Sequence, residues 1–475
     1  MLSFPLEKEL QKQLTGMGKD GVQLQFPPEI IAEIFFRCLP AEFTVPDPGT
    51  APLVLCRICR QYREIALSTP VLWSSLWLDF RRIARSKAYL ELHRTWLARA
   101  GNTPLSLSFR DHASQRLDSS DAIKSLILTI VELSGQWRNI EIQLFVRHGI
   151  TALLFPIKGT LPRLEKLIIV GAQKLDNPIS IADAPNLRCV SVRYHPELRL
   201  PWHQLTTFRC DAGLDASSAL KLIRDSPNLL DAALFSYNIG TTPLALSLAT
   251  SRHAHLECLT LAGFPGVQKD FTIFKYLEAP SLKTLRVLFK ATGFRPLDVS
   301  PFLYFLSQPS LRLHTLILSH LPATPADLIT CLKATPSVVH LKLKLALRKS
   351  QASTDKMRVQ INTALGQFTG HPDFLPHLES LHLVFPGKSC DNGITPSAVI
   401  EMLCWRWAST GTAQLLSFRL AHGAKHNIES DTAINLHPEF WRLVGEGMSL
   451  YVGVARKDTD SLGDTSLFFT LSTLG

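Results

Sequence analysis

Residues 161–169 read LPRLEKLII, and the same wording returns at 184–192 (APNLRCVSV), 226–234 (SPNLLDAAL), 279–287 (APSLKTLRV), 335–343 (TPSVVHLKL) and 375–383 (LPHLESLHL). Looser copies without the proline stand at 204–210 (QLTTFRC), 255–261 (HLECLTL), 312–318 (RLHTLIL) and 414–420 (QLLSFRL). The shared pattern is Pro-x-Leu-x-x-Leu-x-Leu or close to it. Its last two apolar residues are two apart, so they face one side of a short strand. Proline ahead of the strand holds the preceding residue extended and punctuates a turn. The first apolar residues of the copies, at 164, 187, 205, 229, 256, 282, 313, 338, 378 and 415, lie 18 to 31 residues apart over the first eight copies and 40 and 37 apart at the end. Amphipathic helices such as SSALKLIRDS (217–226) fill the intervals. One strand-plus-helix unit cannot bury its own apolar face, so the units must stack, with their strands in a parallel sheet. An ordinary doubly wound α/β domain is the competing arrangement.

The alternation begins earlier. SKAYLELHRTWLARAG (86–101) reads as an amphipathic helix stopped by glycine, PLSLSF (104–109) as a strand, DSSDAIKSLILTIVELSG (118–135) as a capped helix and RNIEIQLFV (138–146) as a strand. Near the other end, MSLYVGVAR (448–456) and SLFFTLSTL (466–474) suggest that the sheet continues. Over 475 residues, 46% are apolar and 19% charged, which excludes wholesale disorder. Fifty Lys and Arg against 40 Asp and Glu give a net charge of +10. The nine cysteines are scattered through apolar contexts, as free thiols in a reducing compartment would be. The opening MLSFPLEKELQKQL has charges where a signal peptide needs an apolar run. The longest uncharged stretch, 232–251, is interrupted by Asn238, Gly240 and Pro243. These features predict no transmembrane helix and a cytoplasmic or nuclear address.

Apparent catalytic and ligand motifs fail on inspection. Gly16, Gly18 and Gly21 match G-x-G-x-x-G, but no strand leads into them. Gly387-Lys388-Ser389 resembles the end of a phosphate-binding loop, yet His382 stands where its first glycine should be. Cys56 and Cys59 form C-x-x-C without a second ligand pair and read as a core pair. His253 and His255 alternate and read as loop or rim residues. No nucleophile elbow, zinc-binding H-E-x-x-H or paired carboxylates occur. No cofactor, metal or catalytic residue is expected, and the chain reads as a non-enzyme.

The segment 26–80 has a different character. FPPEIIAEIFFRCLP (26–40) opens a helix with two prolines and Glu29, and Ile30, Ile31, Ile34, Phe35 and Cys38 fall on one apolar stripe. After the loop AEFTVPDPGT (41–50), APLVLCRICRQYREIALSTPVLWSSL (51–76) supplies two short helices with a basic stripe at Arg57, Arg60 and Arg63. Three short helices cannot bury this many large apolar side chains among themselves, so either the rest of the chain or a partner must cover them.

In combination, Pro27-Pro28-Glu29-Ile30-Ile31, Ile34, Leu53, Ile58-Cys59, Tyr62, Ala66 and Pro70-x-Leu72-Trp73 resemble the F-box in the form common in fungal F-box-like proteins. Phe26 stands where that family usually has Leu, and Tyr62 where it usually has Trp. The resemblance implies a partner, the Skp adaptor of cullin-RING ubiquitin ligases. It also implies an adaptor-binding set of Pro27, Pro28, Ile30, Ile31, Ile34, Leu53, Ile58, Cys59, Tyr62, Pro70, Leu72 and Trp73. From residue 86 onward the copies resemble leucine-rich repeats, although the Asn that usually follows the last Leu is missing.

The expected fold class is therefore α/β. A segment at 1–25 is read as an N-terminal helix or linker. A three-helix F-box-like head at 26–80 follows, and then an irregular leucine-rich-repeat solenoid at 86–475, with a curved parallel sheet, helices outside and a C-terminal cap. On the concave face the residues alternating with the buried pairs should meet solvent, among them Lys166, Arg193, Arg209, Arg286, His340, Lys342, Lys344 and His382. That set suits an acidic or phosphorylated substrate protein. The expected role is substrate recognition for a Skp–cullin–F-box ligase. A ligase-independent repeat scaffold is the alternative. A basic nucleic-acid-associated protein is a third reading, but the basic clusters at Arg81, Arg82, Arg85 and Lys87 and at Arg348 and Lys349 lack interleaved aromatics, which argues against it.

Overall fold

The structure is a computed structural model that describes residues 26–41, 43–111, 121–144, 160–171, 181, 183–192, 199–211, 214, 216–236, 250–263, 272–289, 298–321, 323–344, 365–385, 395–422 and 428–454. The readings at 1–25, Gly387-Lys388-Ser389 and 466–474 lie outside those residues. The chain divides into two compact units, Met1–Ser108 and Phe109–Gly475.

In the first unit, α1 (Pro28–Arg37) has Pro28 in its first turn, where the missing N–H costs nothing, and Glu29 beside the positive end of the dipole. The stripe read from the sequence splits in two: Ile31 and Phe35 are 4% and 2% exposed, whereas Ile30 and Ile34 are 49% and 40% exposed. Helix α2 (Arg60–Ser68) is capped by the Cys59 thiol, which accepts the Tyr62 N–H at 3.4 Å. Cys56 is half-buried and Cys59 exposed, so they are not the core pair expected; Cys59 serves as a helix cap. A short 3-10 helix (Pro70–Trp73), β1 (Ser75–Asp79), α3 (Phe80–Arg85) and α4 (Lys87–Ala100) follow. Asp79 and Ser86 cap the two helices by accepting backbone N–H groups, and Gly101 at φ 54° ends α4 in a conformation that glycine tolerates. Trp73 and Trp96 meet edge to face at 4.9 Å, and their indole N–H groups donate to the carbonyls of Ala66 at 2.9 Å and Ser75 at 3.2 Å. Residues beyond 80 thus help to close the core of the head, because α4 supplies Trp96. The division between units falls within β2 (Leu105–Asp111).

The second unit contains α5 (Asp121–Glu132) and then β3 (Trp137–Leu144), β4 (Lys166–Gly171), β5 (Cys189–Val192), β6 (Thr207–Cys210), α6 (Ala216–Asp225) and β7 (Asp231–Ser236). After these come β8 (Ser251–Arg252), β9 (Cys258–Gly263), α7 (Thr272–Tyr276), β10 (Leu277–Glu278), β11 (Thr284–Phe289), α8 (Ser300–Leu306), β12 (Thr315–Ser319), α9 (Pro325–Lys333) and β13 (His340–Lys344). The unit ends with β14 (Ser380–Phe385), α10 (Pro396–Ala408), β15 (Ser417–His422), α11 (Ile428–Asn435), α12 (Pro438–Gly445) and β16 (Ser449–Val454). Strands β3 to β7, β9 and β11 to β16 pair side by side in that order, and every pair is parallel. A doubly wound sheet reverses its strand order at a switch point. This order is monotonic, the signature of stacked strand–helix units. The strands β8 and β10 form a separate parallel pair. Among the described residues no helix is long and apolar enough to cross a membrane.

Each of the ten sequence copies forms one strand of the main sheet, in matching register. Leu164, Leu187, Leu205, Leu229, Leu256, Leu282, Leu313, Val338, Leu378 and Leu415 are each at most 1% exposed. In the six proline copies, the N–H of this residue donates to the carbonyl three residues back, as from Leu164 to Leu161 and from Leu229 to Ser226. Each proline therefore occupies the second position of a β-turn, where its fixed φ fits. In three of these copies the residue after the proline ties its turn to the preceding unit. Asn186 donates to the carbonyl of Pro162 at 2.6 Å, Asn228 to that of His203 at 2.6 Å and Ser337 to that of Leu313 at 2.9 Å. His253 does comparable work. It is buried rather than at the rim, with Nε2 2.8 Å from the carbonyl of Ser226 and Nδ1 accepting the Leu256 N–H at 3.0 Å.

Candidate functional site

Two surfaces answer to the sequence expectations, one in each unit. In the first unit, Phe26 just ahead of α1 and Ile30 and Ile34 one turn apart on it are exposed, as are Phe36, Ile58 and Val71. Ile31 and Phe35 lie about 100° round the helix from Ile30 and Ile34. They face inward, with Phe35 edge to face on Tyr62 at 5.1 Å. Of the residues expected to bind an adaptor, Pro27, Pro28, Ile30, Ile34, Ile58, Cys59 and Pro70 are exposed, and Leu53 and Tyr62 are half-buried. Ile31, Leu72 and Trp73 correct the expectation. They are buried in the unit's own core, so they support the surface instead of forming it. A Glu33–Arg37 ion pair at 2.9 Å runs along the exposed side of the same helix.

In the second unit, the strand registers align residues across the sheet on the face opposite the buried leucines. One row runs Lys166, Cys189, Thr207, Asp231, Cys258, Thr284, Thr315, His340, Ser380 and Ser417. The next runs Ile168, Ser191, Arg209, Ala233, Thr260, Arg286, Ile317, Lys342, His382, Arg419 and Tyr451. Lys166 is exposed at the edge of this face. Arg209 is paired with Asp231 at 3.2 Å, and Arg286 reaches the Cys258 sulfur at 3.3 Å. Burial and the neighbouring Asp231 carboxylate push the Cys258 thiol up to about 11. Arg193 lies outside the described residues. His340 rests edge to face on His314 at 4.9 Å, and burial, with the His314 ring, holds it below the ordinary imidazole range.

The expectation of a uniformly solvated face is also corrected. Phe235, Ala262, Leu288 and Ile317 form a buried apolar cluster on this side. Their strands carry runs of consecutive apolar residues rather than strict alternation, the pattern of strands covered on both faces. On β13 to β15 of this face, Lys342, His382 and Arg419 stand side by side. Arg419 and Tyr451 were not among the expected site residues, although the copy at 414–420 points to position 419 through its register. The Arg419 guanidinium lies 4.6 Å over the Tyr451 ring.

Burial, Lys342 and Arg419 together push His382 down to about 3. A histidine whose folded pKa lies below its ordinary value opposes protonation of the folded state, so stability is complete above about pH 6.5 and declines as pH falls toward 3. Each pH unit in that window should cost about 1.4 kcal/mol through this group. Urea unfolding followed from about pH 7 to about pH 5 should show wild type losing stability relative to His382→Asn at that slope. A difference that does not change with pH would show that the imidazole is not held neutral.

Among the described residues no group of three or more His, Cys, Asp or Glu is placed to hold a metal ion. Neither surface brings together a nucleophile, a base and an orienting group. One is an apolar helix stripe on the first unit and the other a row of Lys342, His382 and Arg419 on the second. Compared with known proteins, the chain matches no family model and no curated protein.

Proposed function

We propose that the chain is a non-catalytic adaptor of a Skp–cullin–F-box ubiquitin ligase, in which the F-box-like head docks the Skp adaptor and the repeats hold a substrate protein. The observation that carries this reading is the divided apolar stripe of α1. A short helix that buries Ile31 and Phe35 in its own unit while leaving Ile30 and Ile34 open has apolar surface to spare. Covering what remains open of the two isoleucines, a little under half of each, stabilises a complex by about 1 kcal/mol each, a useful part of a micromolar affinity. The monotonic parallel sheet supports the second half of the proposal, since stacked units offer an extended surface that grows with unit number.

Co-expression with a Skp adaptor tests the reading. Wild type should co-purify with it, and Ile30→Asp with Ile34→Asp should abolish recovery while the chain remains folded. If wild type and the double variant are recovered equally poorly, the ligase reading fails.

A further inference from the structure

We propose that residues 466–474 (SLFFTLSTL) of this chain dock on the open end of the second unit, adding a strand beside β16 and covering Leu436, Trp441 and Val444. This docking stands apart from the adaptor reading, because no residue of the first unit takes part in it.

The main sheet begins at β1 and ends at β16, and its two edges are treated differently. Beside β1 stands Thr44, whose carbonyl accepts the Trp77 N–H at 2.8 Å and whose N–H donates to the Ser75 hydroxyl at 3.3 Å. Among the described residues β16 pairs only with β15. The Ser449 N–H donates to the Leu416 carbonyl at the entry to β15, so alternation turns the N–H groups of Leu450, Val452 and Val454 outward. Asn435 donates to the Val452 carbonyl at 3.3 Å, but among the described residues nothing accepts from the N–H of Leu450 or Val452. The strand carries neither charge nor proline, the usual protections of an exposed edge. Apolar packing stops at the same place. Leu341, Leu381 and Phe418 on β13, β14 and β15 are at most 2% exposed, whereas their register partner Leu450 is half-buried. Val454 is exposed on the same side, and α12 with the turn before it leaves Trp441 60% and Leu436 71% exposed, with Val444 open beside them. Large apolar groups at the end of a stack mark the place of a further layer.

The sequence that follows β16 fits that end. In SLFFTLSTL, Leu467, Phe469 and Leu471 fall on one side of an extended chain, and no residue is charged. The receiving surface asks for no charge either, since Arg442 on α12 is paired with Glu439 and Glu446, each at 2.7 Å. Eleven residues, 455–465, join Val454 to Ser466. A strand the length of β16 runs about 20 Å and eleven residues extend to about 36 Å, so the segment can reach either end of the edge. Tethering holds it there at an effective concentration on the order of millimolar, which a second copy of the chain does not approach at micromolar protein.

Hydrogen exchange of the full chain, read by mass spectrometry, tests the docking. The amides of 466–474 should exchange at least about tenfold more slowly than in an unstructured peptide of that sequence, and equally so at about 1 and about 50 μM protein. Phe469→Asp with Leu471→Asp should return them to the unstructured rate and speed exchange at Leu450 and Val452 about tenfold. Trp441→Ser, on the receiving side and at a position open to solvent, should speed exchange in 466–474 about threefold or more while β13 to β15 stay protected. Unprotected amides at 466–474 in the wild-type chain would overturn the proposal, as would protection unchanged by both sets of substitutions. Protection that appears only at the higher protein concentration, together with a dimer mass by light scattering, would assign the edge to a second copy and overturn it as well.

Discussion

Replacing Arg406 with methionine is expected to destabilise the second unit by on the order of 4 kcal/mol. The side chain sits on α10 at 0% exposure and its charge meets carbonyls, with no carboxylate in contact among the described residues. Its Nε donates to Phe368 at 3.0 Å, one terminal nitrogen to Leu375 at 3.0 Å and the other to Phe374. The guanidinium also lies 5.3 Å from the Trp405 ring and 5.7 Å from that of Phe368. Burial pushes its pKa down to about 10, still high enough for full charge at neutral pH. Leu375, one of the three acceptors, has φ 49°, a left-handed conformation that costs a leucine about 1 kcal/mol or more, and it opens the turn that delivers Pro376 and β14. Methionine would fill much of the space but leave three buried carbonyls without donors, at about 1–3 kcal/mol each before relaxation. Lysine would keep the charge and lose the planar fork, so Arg406→Lys should cost about half as much. Chemical denaturation of the three proteins checks this ranking. A loss below about 1 kcal/mol for Arg406→Met would mean that the carbonyls find other donors.

Trp73→Ala should cost about 3–5 kcal/mol in the first unit, whereas Ile30→Asp with Ile34→Asp should change its stability by about 1 kcal/mol at most. Trp73 is fully buried, donates to the Ala66 carbonyl, packs edge to face on Trp96 and lies under the Arg99 guanidinium at 4.5 Å. Removing it opens a cavity and orphans a carbonyl. Ile30 and Ile34 touch solvent, so their replacement forfeits little in the free chain. The contrast decides which substitutions can test binding. Ile31→Ala or Leu72→Ala would confuse lost docking with lost folding, because both residues are core. Thermal unfolding of Trp73→Ala, Ile31→Ala and the double variant separates the groups, and equal destabilisation would refute the division of α1 into an inner and an outer face.

The repeat copies were legible because each carries its own turn, its own first leucine and its own pair of inward residues. Ten strands could be placed from wording alone, and their register follows from the wording too. The ties between units were not legible. Asn186, Asn228 and Ser337 look like ordinary turn residues until the neighbouring carbonyl is in place. The cluster of Phe235, Ala262, Leu288 and Ile317 was hidden for a related reason: alternation shows which residues leave the core, but not whether something else covers them. On α1 the stripe was read correctly as apolar. Its division into two faces depends on where α2 and Tyr62 lie, which spacing within one helix cannot reveal. Arg406 had a usable signal, a lone cation between Trp405 and Trp407 in an apolar helix, but its carbonyl partners lie more than thirty residues away in sequence.

The most direct measurement is the affinity of the purified full chain for a purified Skp adaptor by titration calorimetry, with Ile30→Asp plus Ile34→Asp as the comparison. The account predicts micromolar or tighter binding, with the negative heat-capacity change of apolar burial, and a loss of about a hundredfold or more in the double variant at unchanged thermal stability. No binding by the wild-type chain, or equal binding by the double variant, would contradict it.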